Sequence, residues 1–190
     1  MRTLVLGGIR SGKSRWAEQA IGGPLGSSHP VRYLATGPSP GSDADWSARV
    51  SRHRARRPAH WATVETADVA ACLRETPAAP TLVDDIGGWL TATMDRHGAW
   101  EPAPAGGTAR DPVDDVEDEI AELVDAVAGF GAALTLVSPE VGLTVVPATA
   151  SGRRFADTLG ELNQRLAAAC ERVVLVIAGV AVPVKPERVS

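Results

Sequence analysis

The chain has 190 residues, of which 44% are hydrophobic, and a formal net charge of −4. This composition is typical of a globular protein and excludes an overall basic field for nucleic acid, so we predict a single domain over residues 1–190 that does not bind nucleic acid. No apolar run approaches the roughly 20 residues that span a bilayer, and a glycine-rich segment begins near the N-terminus, so we expect no membrane span, no signal peptide and a cytoplasmic location. Cys72 and Cys170 lack the spacing of metal ligands and are expected to pack as small hydrophobic residues.

The first predicted elements are a strand over residues 3–6 and a helix from residue 14, joined by a glycine-rich loop. Glycines let successive backbone N–H groups converge on phosphate oxygens, a lysine adds positive charge near the β- and γ-phosphates, and a serine hydroxyl can ligate Mg²⁺. The sequence therefore predicts a triphosphate site at the helix N-terminus, with Lys13 as a catalytic residue and Ser14 as a metal ligand. The loop reads GGIRSGKS and fits the pattern G-x-x-x-x-G-K-[ST] over Gly7, Gly8, Ile9, Arg10, Ser11, Gly12, Lys13 and Ser14.

An arginine-rich segment follows an irregular stretch at residues 22–30 and a second predicted strand at residues 31–36. Residues 49–58 hold five arginines and His53 in an otherwise acidic protein. Two interpretations are open, because the segment could be a solvated helix or its guanidinium groups could neutralise a triphosphate. An imidazole with a pKa of about 6.5 is largely neutral at pH 7, so a ring nitrogen of His53 in line with an α-phosphate can act as a nucleophile.

An acidic pair ends the third predicted strand, at residues 81–83. Asp84 is in the position of a Walker B carboxylate and can support Mg²⁺, with Asp85 as the next candidate. Residues 97–111 are then rich in glycine and proline, and they predict either a mobile surface loop or a lid over the site.

The rest of the chain alternates helix and strand signals. A helix is predicted over residues 113–128, with Asp111 as its N-cap, Pro112 in its first turn and Gly129 as its stop. Apolar residues at helical spacing predict another helix around residues 155–166, and strands are predicted at residues 133–138, 172–178 and 180–185. Continuous apolar strands are typical of parallel sheets covered on both faces. We therefore predict an α/β fold, a three-layer P-loop NTPase domain of the RecA-like type with a mostly parallel sheet.

Taken together, the order of these motifs resembles one family. The motifs are GGIRSGKS, residues 33–36, residues 49–58 around His53, Glu65, residues 82–84, residues 140–142 and residues 154–157. Their order and spacing resemble those of the bifunctional adenosylcobinamide kinase/adenosylcobinamide-phosphate guanylyltransferases of cobalamin biosynthesis.

This resemblance implies a two-step activity and a set of site residues. The enzyme would phosphorylate adenosylcobinamide, and then transfer GMP from GTP to adenosylcobinamide phosphate through a guanylyl group on His53. Mg²⁺ would assist, ATP is a possible nucleotide for the kinase step, and the family pattern implies a homotrimer. Residues 7–14 would hold the triphosphate and Asp84 would lie near the nucleotide, whose site is lined in addition by Thr36, Gly37, Pro38, Arg54, Ala55, Arg56, Arg57 and Glu65.

Two other functions remain open at this point. The chain could be a P-loop kinase of small molecules without guanylyl transfer, in which His53 belongs to a basic clamp. It could also be a GTP-binding switch that regulates a partner, although no guanine-reading N-K-x-D motif is recognisable. His29, His60 and His97 lack comparable context and are interpreted as surface or locally hydrogen-bonded residues. The five tryptophans are interpreted as core or interface residues, although Trp89 or Trp100 could border a large apolar ligand.

Overall fold

A computed structural model describes residues 1–25, 29–37, 57–101 and 110–185, and in them one sheet organises the chain. The order across the sheet is β3-β2-β4-β5-β1-β6-β7, and neighbouring strands are parallel except for the hairpin of β6 and β7. The strands are β1 (Arg2–Gly7), β2 (Arg32–Ala35), β3 (Ala62–Glu65), β4 (Thr81–Asp84), β5 (Leu134–Pro139), β6 (Arg172–Ile177) and β7 (Val180–Lys185).

Helices cover both faces of this sheet. Helix α1 (Lys13–Leu25) packs on one face through Ala17 and Ile21. The other face carries α2 (Val69–Glu75), α3 (Ile86–His97), α4 (Pro112–Ala128) and α5 (Ala150–Ala169). The predicted α/β architecture with three layers and a mostly parallel sheet is confirmed.

Capping signals fix the helix ends where the sequence carries them. Asp111 accepts a hydrogen bond from the backbone N–H of Val113 at 3.0 Å, Pro112 occupies the first turn, and α4 ends at Gly129, as predicted. Helix α3 was not predicted, although it has an Asp85 N-cap and ends at Gly98 in the left-handed conformation with φ of 66°. Its buried residues, such as Trp89 and Leu90, pack into the core beneath α4 and α5.

Two other predictions differ from the structure. The prediction of an irregular stretch at residues 22–30 is partly wrong, because α1 continues to Leu25 despite two glycines and a proline. Packing explains the continuation, since Ile21 is buried and a Cβ on Gly22 would lie 3.3 Å from the Trp61 ring. Strand β3 was not predicted as a strand because it is a short, mostly exposed edge strand that lacks an apolar run.

Other sequence-based expectations concern single residues and membrane helices. Burial raises the pKa of the Cys170 thiol to about 12, consistent with a packing role. His97 contacts Glu119 with 2.6 Å between Nε2 and Oε1, which ties α3 to α4.

Within the described ranges, no helix is long and apolar enough to cross a membrane. The single domain and the cytoplasmic location stay predictions, and of the lid candidate, residues 102–109 lie outside the described residues.

An ion pair joins the start of β1 to the residue before β6. Arg2 Nε donates to Glu171 Oε1 at 2.9 Å, and the backbone N–H of Arg2 donates to the other carboxylate oxygen. The hydrogen bond from the Arg2 side chain lowers the pKa of Glu171 to about 2. The Glu171 carboxylate therefore stays charged, and keeps its ion pair with Arg2, at acidic pH values down to that pKa.

Glu171→Gln is expected to lower the free energy of unfolding near pH 7 by about 1 kcal/mol or less, because the pair is partly exposed. The folded-state pKa lies below the ordinary value of 4.5, so the carboxylate stabilises the fold above that value and loses its contribution as the pH falls towards 2. Denaturant unfolding of both proteins at neutral and acid pH checks this. A difference in stability that stays constant on acidification would contradict it.

Candidate nucleotide site

The glycine-rich loop connects β1 to α1 and has a fixed backbone. Arg10 and Gly12 have φ values of 58° and 92°, and the Ser11 carbonyl accepts a hydrogen bond from the Gly179 N–H at 2.8 Å. A side chain at Gly7 would place its Cβ 2.5 Å from Ser11 Oγ and 2.7 Å from the Val176 carbonyl, which makes glycine obligatory there. The turn between β6 and β7 therefore contacts the loop and stabilises its conformation.

Two buried polar groups in the loop fit a bound phosphate chain. Lys13 is only 7% exposed, and its Nζ makes a long hydrogen bond of 3.4 Å to the Gly8 carbonyl. Ser11 Oγ is buried without a hydrogen-bond partner among the described residues. A buried ammonium and an unsatisfied hydroxyl beside a helix N-terminus suit an anion, because phosphate oxygens would accept from both.

Asp84 is held next to the first turn of α1. Ser14 Oγ donates to Asp84 Oδ1 at 3.1 Å, and the Tyr33 hydroxyl donates to Asp84 Oδ2. Burial, and then the negative charge of Asp84, raise the pKa of Tyr33, so its hydroxyl keeps the proton that it donates. The carboxylate and the serine hydroxyl thus form an oriented pair of oxygen ligands.

These oxygens fit Mg²⁺, which prefers oxygen and is usually bound by one or two protein groups together with phosphates and water. No cluster of three or more His, Cys, Asp or Glu residues that could hold a metal occurs in the described residues. A site that relies on the nucleotide for its remaining ligands is consistent with that finding. Ser14 Oγ and Asp84 Oδ1, which lie 3.1 Å apart, are the two oxygens that could serve as its protein ligands.

Asp85, the second acidic candidate, has a different task. Its Oδ1 accepts from the Gly88 N–H at 2.6 Å and caps α3, while its carbonyl accepts from Thr36 Oγ1 at 2.5 Å. Gly88 in turn lies against Gly37, since a Cβ at Gly88 would be 3.4 Å from the Gly37 Cα. Thr36 and Gly37 are thereby fixed at the start of α3, close to Asp84.

A cavity of about 360 Å³ adjoins β3 and is lined by Arg57, Pro58, Ala59, Trp61, Thr63 and Glu65. The Arg57 guanidinium stacks 3.3 Å above the centroid of the Tyr33 ring, and its Nη1 donates to Thr63 Oγ1 at 3.2 Å. Ala35 pairs with Glu65 on one side and with Asp84 on the other, and all three are the last residues of their strands. Both acidic residues therefore lie where the parallel strands end, on the same side of the sheet as the phosphate loop. Predicted site residues Thr36, Gly37, Arg57, Glu65 and Asp84 therefore lie together.

Known proteins resemble this chain along almost its whole length. The profile of the family described as CobU, cobinamide kinase / cobinamide phosphate guanyltransferase, matches residues 3–184. The bifunctional adenosylcobalamin biosynthesis protein CobP of Pseudomonas aeruginosa is 38% identical over 98% of this chain and 99% of its own. The bifunctional adenosylcobalamin biosynthesis protein CobU of Salmonella typhimurium is also 38% identical, over 97% of this chain and 100% of its own. The chain belongs to this family.

The CobU family is described as one of cobinamide kinases and cobinamide phosphate guanyltransferases. Among solved structures, an ATPase from the type III secretion system of pathogenic bacteria has a TM-score of 0.54 at 15% identity. The match covers 92% of this chain and 50% of that one. At this identity the likeness concerns the fold alone, and it agrees with the predicted α/β fold of the P-loop NTPases.

Part of the predicted site of this CobU-family chain lies outside the described residues. Pro38, His53, Arg54, Ala55 and Arg56 belong to that part, and their roles stay predictions.

The sequence pattern alone does not predict the contact of Tyr33 with Asp84. The signal that could have found it is a lone tyrosine in an apolar strand, because a buried tyrosine hydroxyl needs a partner.

If Asp84 ligates Mg²⁺ as predicted, Asp84→Asn is expected to raise the Mg²⁺ concentration for half-maximal activity by roughly tenfold or more, because it removes the charge of the carboxylate and keeps its shape. Tyr33→Phe keeps the ring beneath Arg57 and removes one hydrogen bond to Asp84, so a smaller shift in the same direction is expected. Activity measured against Mg²⁺ concentration checks both. Unchanged metal titration in Asp84→Asn would assign Asp84 a structural role.

Proposed function

We propose that this protein phosphorylates adenosylcobinamide and then transfers GMP from GTP to adenosylcobinamide phosphate through a guanylyl group on His53. The observation that carries the proposal is the hydrogen bond of 3.1 Å between Ser14 and Asp84 beside the buried Lys13, in a chain of the CobU family. These groups are the ones that phosphoryl transfer needs, since it depends mostly on positioning and charge neutralisation.

In the kinase step, the loop amides and Lys13 hold the phosphate chain. The hydroxyl oxygen of adenosylcobinamide forms a bond to the γ-phosphorus, the bond to the β-phosphate oxygen breaks, and the hydroxyl proton leaves to solvent or a nearby base. Mg²⁺, when bound, neutralises phosphate charge beside Ser14 and Asp84. GTP is the proposed nucleotide, and ATP is an alternative for this step.

In the transfer step, a ring nitrogen of His53 attacks the α-phosphorus of GTP and pyrophosphate leaves. A phosphate oxygen of adenosylcobinamide phosphate then attacks the same phosphorus, forms the diphosphate bond and releases the histidine. Two displacements through a phosphoramidate replace one difficult displacement. Arg57 and Glu65, which line the cavity of about 360 Å³, are proposed to contact the nucleotide in this step.

We further propose that copies of the chain associate, as a homotrimer, through the uncovered face of β6 and β7. Ile177, Val180 and Val182 lie on one face of this hairpin and are 54%, 65% and 46% exposed. Exposed aliphatic residues in a contiguous patch are typical of an interaction surface. Sedimentation equilibrium measures the oligomeric state directly.

The two half-reactions test the function when they are assayed separately. Incubation of adenosylcobinamide with GTP or ATP and Mg²⁺ is expected to yield adenosylcobinamide phosphate, and adenosylcobinamide phosphate with GTP is expected to yield adenosylcobinamide-GDP and pyrophosphate. A product that stops at the phosphate would reduce the protein to a kinase. Nucleotide hydrolysis without either corrinoid product would favour a regulatory GTP-binding protein.

A further inference from the structure

We propose that a groove of about 800 Å³ along α5 binds the corrinoid acceptor of both reactions. This inference rests on the proposed function and adds the location of the acceptor. The groove is lined by α5, by residues 140–147 after β5, and by parts of β1, β6 and β7. Its volume lies within the range of ligand-binding clefts.

The groove adjoins the phosphate loop. Leu6, in its floor, directly precedes Gly7, the first residue of the loop. Glu140, in its wall, donates its backbone N–H to the Gly7 carbonyl at 3.1 Å. An acceptor bound here has one end next to the phosphate chain, as a kinase requires, because reacting atoms must come within about 3–3.5 Å of each other.

The lining has the mixed chemistry that a corrinoid needs. Val141, Val145 and Val146 supply an apolar wall, and the last two are 91% and 73% exposed in the protein alone. Asp157 and Gln164 project polar groups from α5 into the same groove. A corrinoid has broad apolar faces and a rim of amide groups, so it can cover the valines and hydrogen-bond to the helix.

Gly160 supplies an independent indication that something approaches α5 closely. It lies in the middle of the helix and lines the groove, and a Cβ built on it would have no heavy atom of the described residues within 4 Å. Glycine in a helix interior costs roughly 0.5–1 kcal/mol relative to alanine. By contrast, a Cβ on Gly152 in the same helix would lie 2.8 Å from Thr149 Oγ1. Packing explains Gly152, whereas Gly160 leaves room for a ligand.

Glu140 lies where the groove meets the loop. Its Oε1 accepts from the Gly142 N–H at 2.6 Å, which orients the carboxylate. We place the acceptor hydroxyl at this end, with the carboxylate as its hydrogen-bond acceptor during the kinase step.

Gly160→Leu tests the proposal by filling the groove from its helix wall. The KM for adenosylcobinamide is expected to rise roughly tenfold or more, while covalent labelling of the protein by GTP stays as in the wild type. The melting temperature should not fall, because leucine is the better helix former. Ala168→Leu introduces the same side chain at an exposed position of α5 outside the groove and should leave the KM unchanged.

Gln164→Trp fills the groove from an exposed position and serves as the second blocking variant if Gly160→Leu folds poorly. An unchanged KM for adenosylcobinamide in a folded blocking variant would overturn the proposal. So would a change of oligomeric state in that variant, because the groove would then be an interface between copies. Failure of the wild type to label with GTP or to make a corrinoid product would instead refute the proposed function.

Discussion

Lys13→Ala is expected to slow both half-reactions by about 10²–10³-fold, the effect of removing one preorganised group that stabilises developing charge. The Lys13 ammonium is buried in the phosphate loop, where its one hydrogen bond in the described structure is a long one of 3.4 Å to a carbonyl. Its charge is therefore available to phosphate oxygens, and the burial of the side chain limits screening of that charge by water. The variant loses that charge and leaves the loop backbone in place.

Single-turnover rates of the two half-reactions, with thermal melting as a control for folding, measure this effect. Arg15→Ala removes a positive charge from an exposed position two residues further along α1 and should have rates near the wild type. Near-normal rates in Lys13→Ala would contradict the assignment of the loop to phosphate binding.

His53→Asn is expected to abolish guanylyl transfer and to leave kinase turnover largely intact. The kinase step needs the phosphate loop, the metal and the acceptor, whereas the transfer step needs a nucleophilic ring nitrogen that asparagine lacks. His53→Asn is therefore expected to have a larger effect than Lys13→Ala, and to have it on guanylyl transfer only.

Labelling with GTP that carries a radioactive α-phosphate distinguishes the nucleophile from a bystander. The wild type should acquire label that acid releases and alkali does not, as expected of a phosphoramidate, and His53→Asn should acquire none. His60→Asn, an exposed histidine in the turn before β3, is the matched control and should label normally. Label retained by His53→Asn would place the nucleophile elsewhere.

The local parts of the site could be predicted from the sequence. The spacing of glycines, Lys13 and Ser14 predicts a loop whose backbone N–H groups can bind phosphate, and the structure has that loop between β1 and α1. Helix α4 was also predictable, because its cap, its proline and its apolar periodicity all agree. In both cases the relevant interactions occur between residues close in the sequence.

Contacts between distant residues were harder to predict. The choice of Asp84 over Asp85 depends on Ser14, which is 70 residues away along the chain, and on the role of Asp85 as a helix cap. Tyr33 reaches the same carboxylate from the neighbouring strand, and a strand pattern alone does not specify its neighbour. The extension of α1 through Gly22 likewise follows from packing against Trp61, which overrides the local propensity.

The mass of the intact protein after exposure to GTP and Mg²⁺ tests the central claim most directly. The account predicts a mass increase equal to one GMP per chain, and it predicts that peptide mapping finds the adduct on His53. The increase should disappear when adenosylcobinamide phosphate is added, because the GMP passes to it. Transfer of GMP to that acceptor by a protein that never gains mass, or an adduct on another residue, would contradict the covalent mechanism.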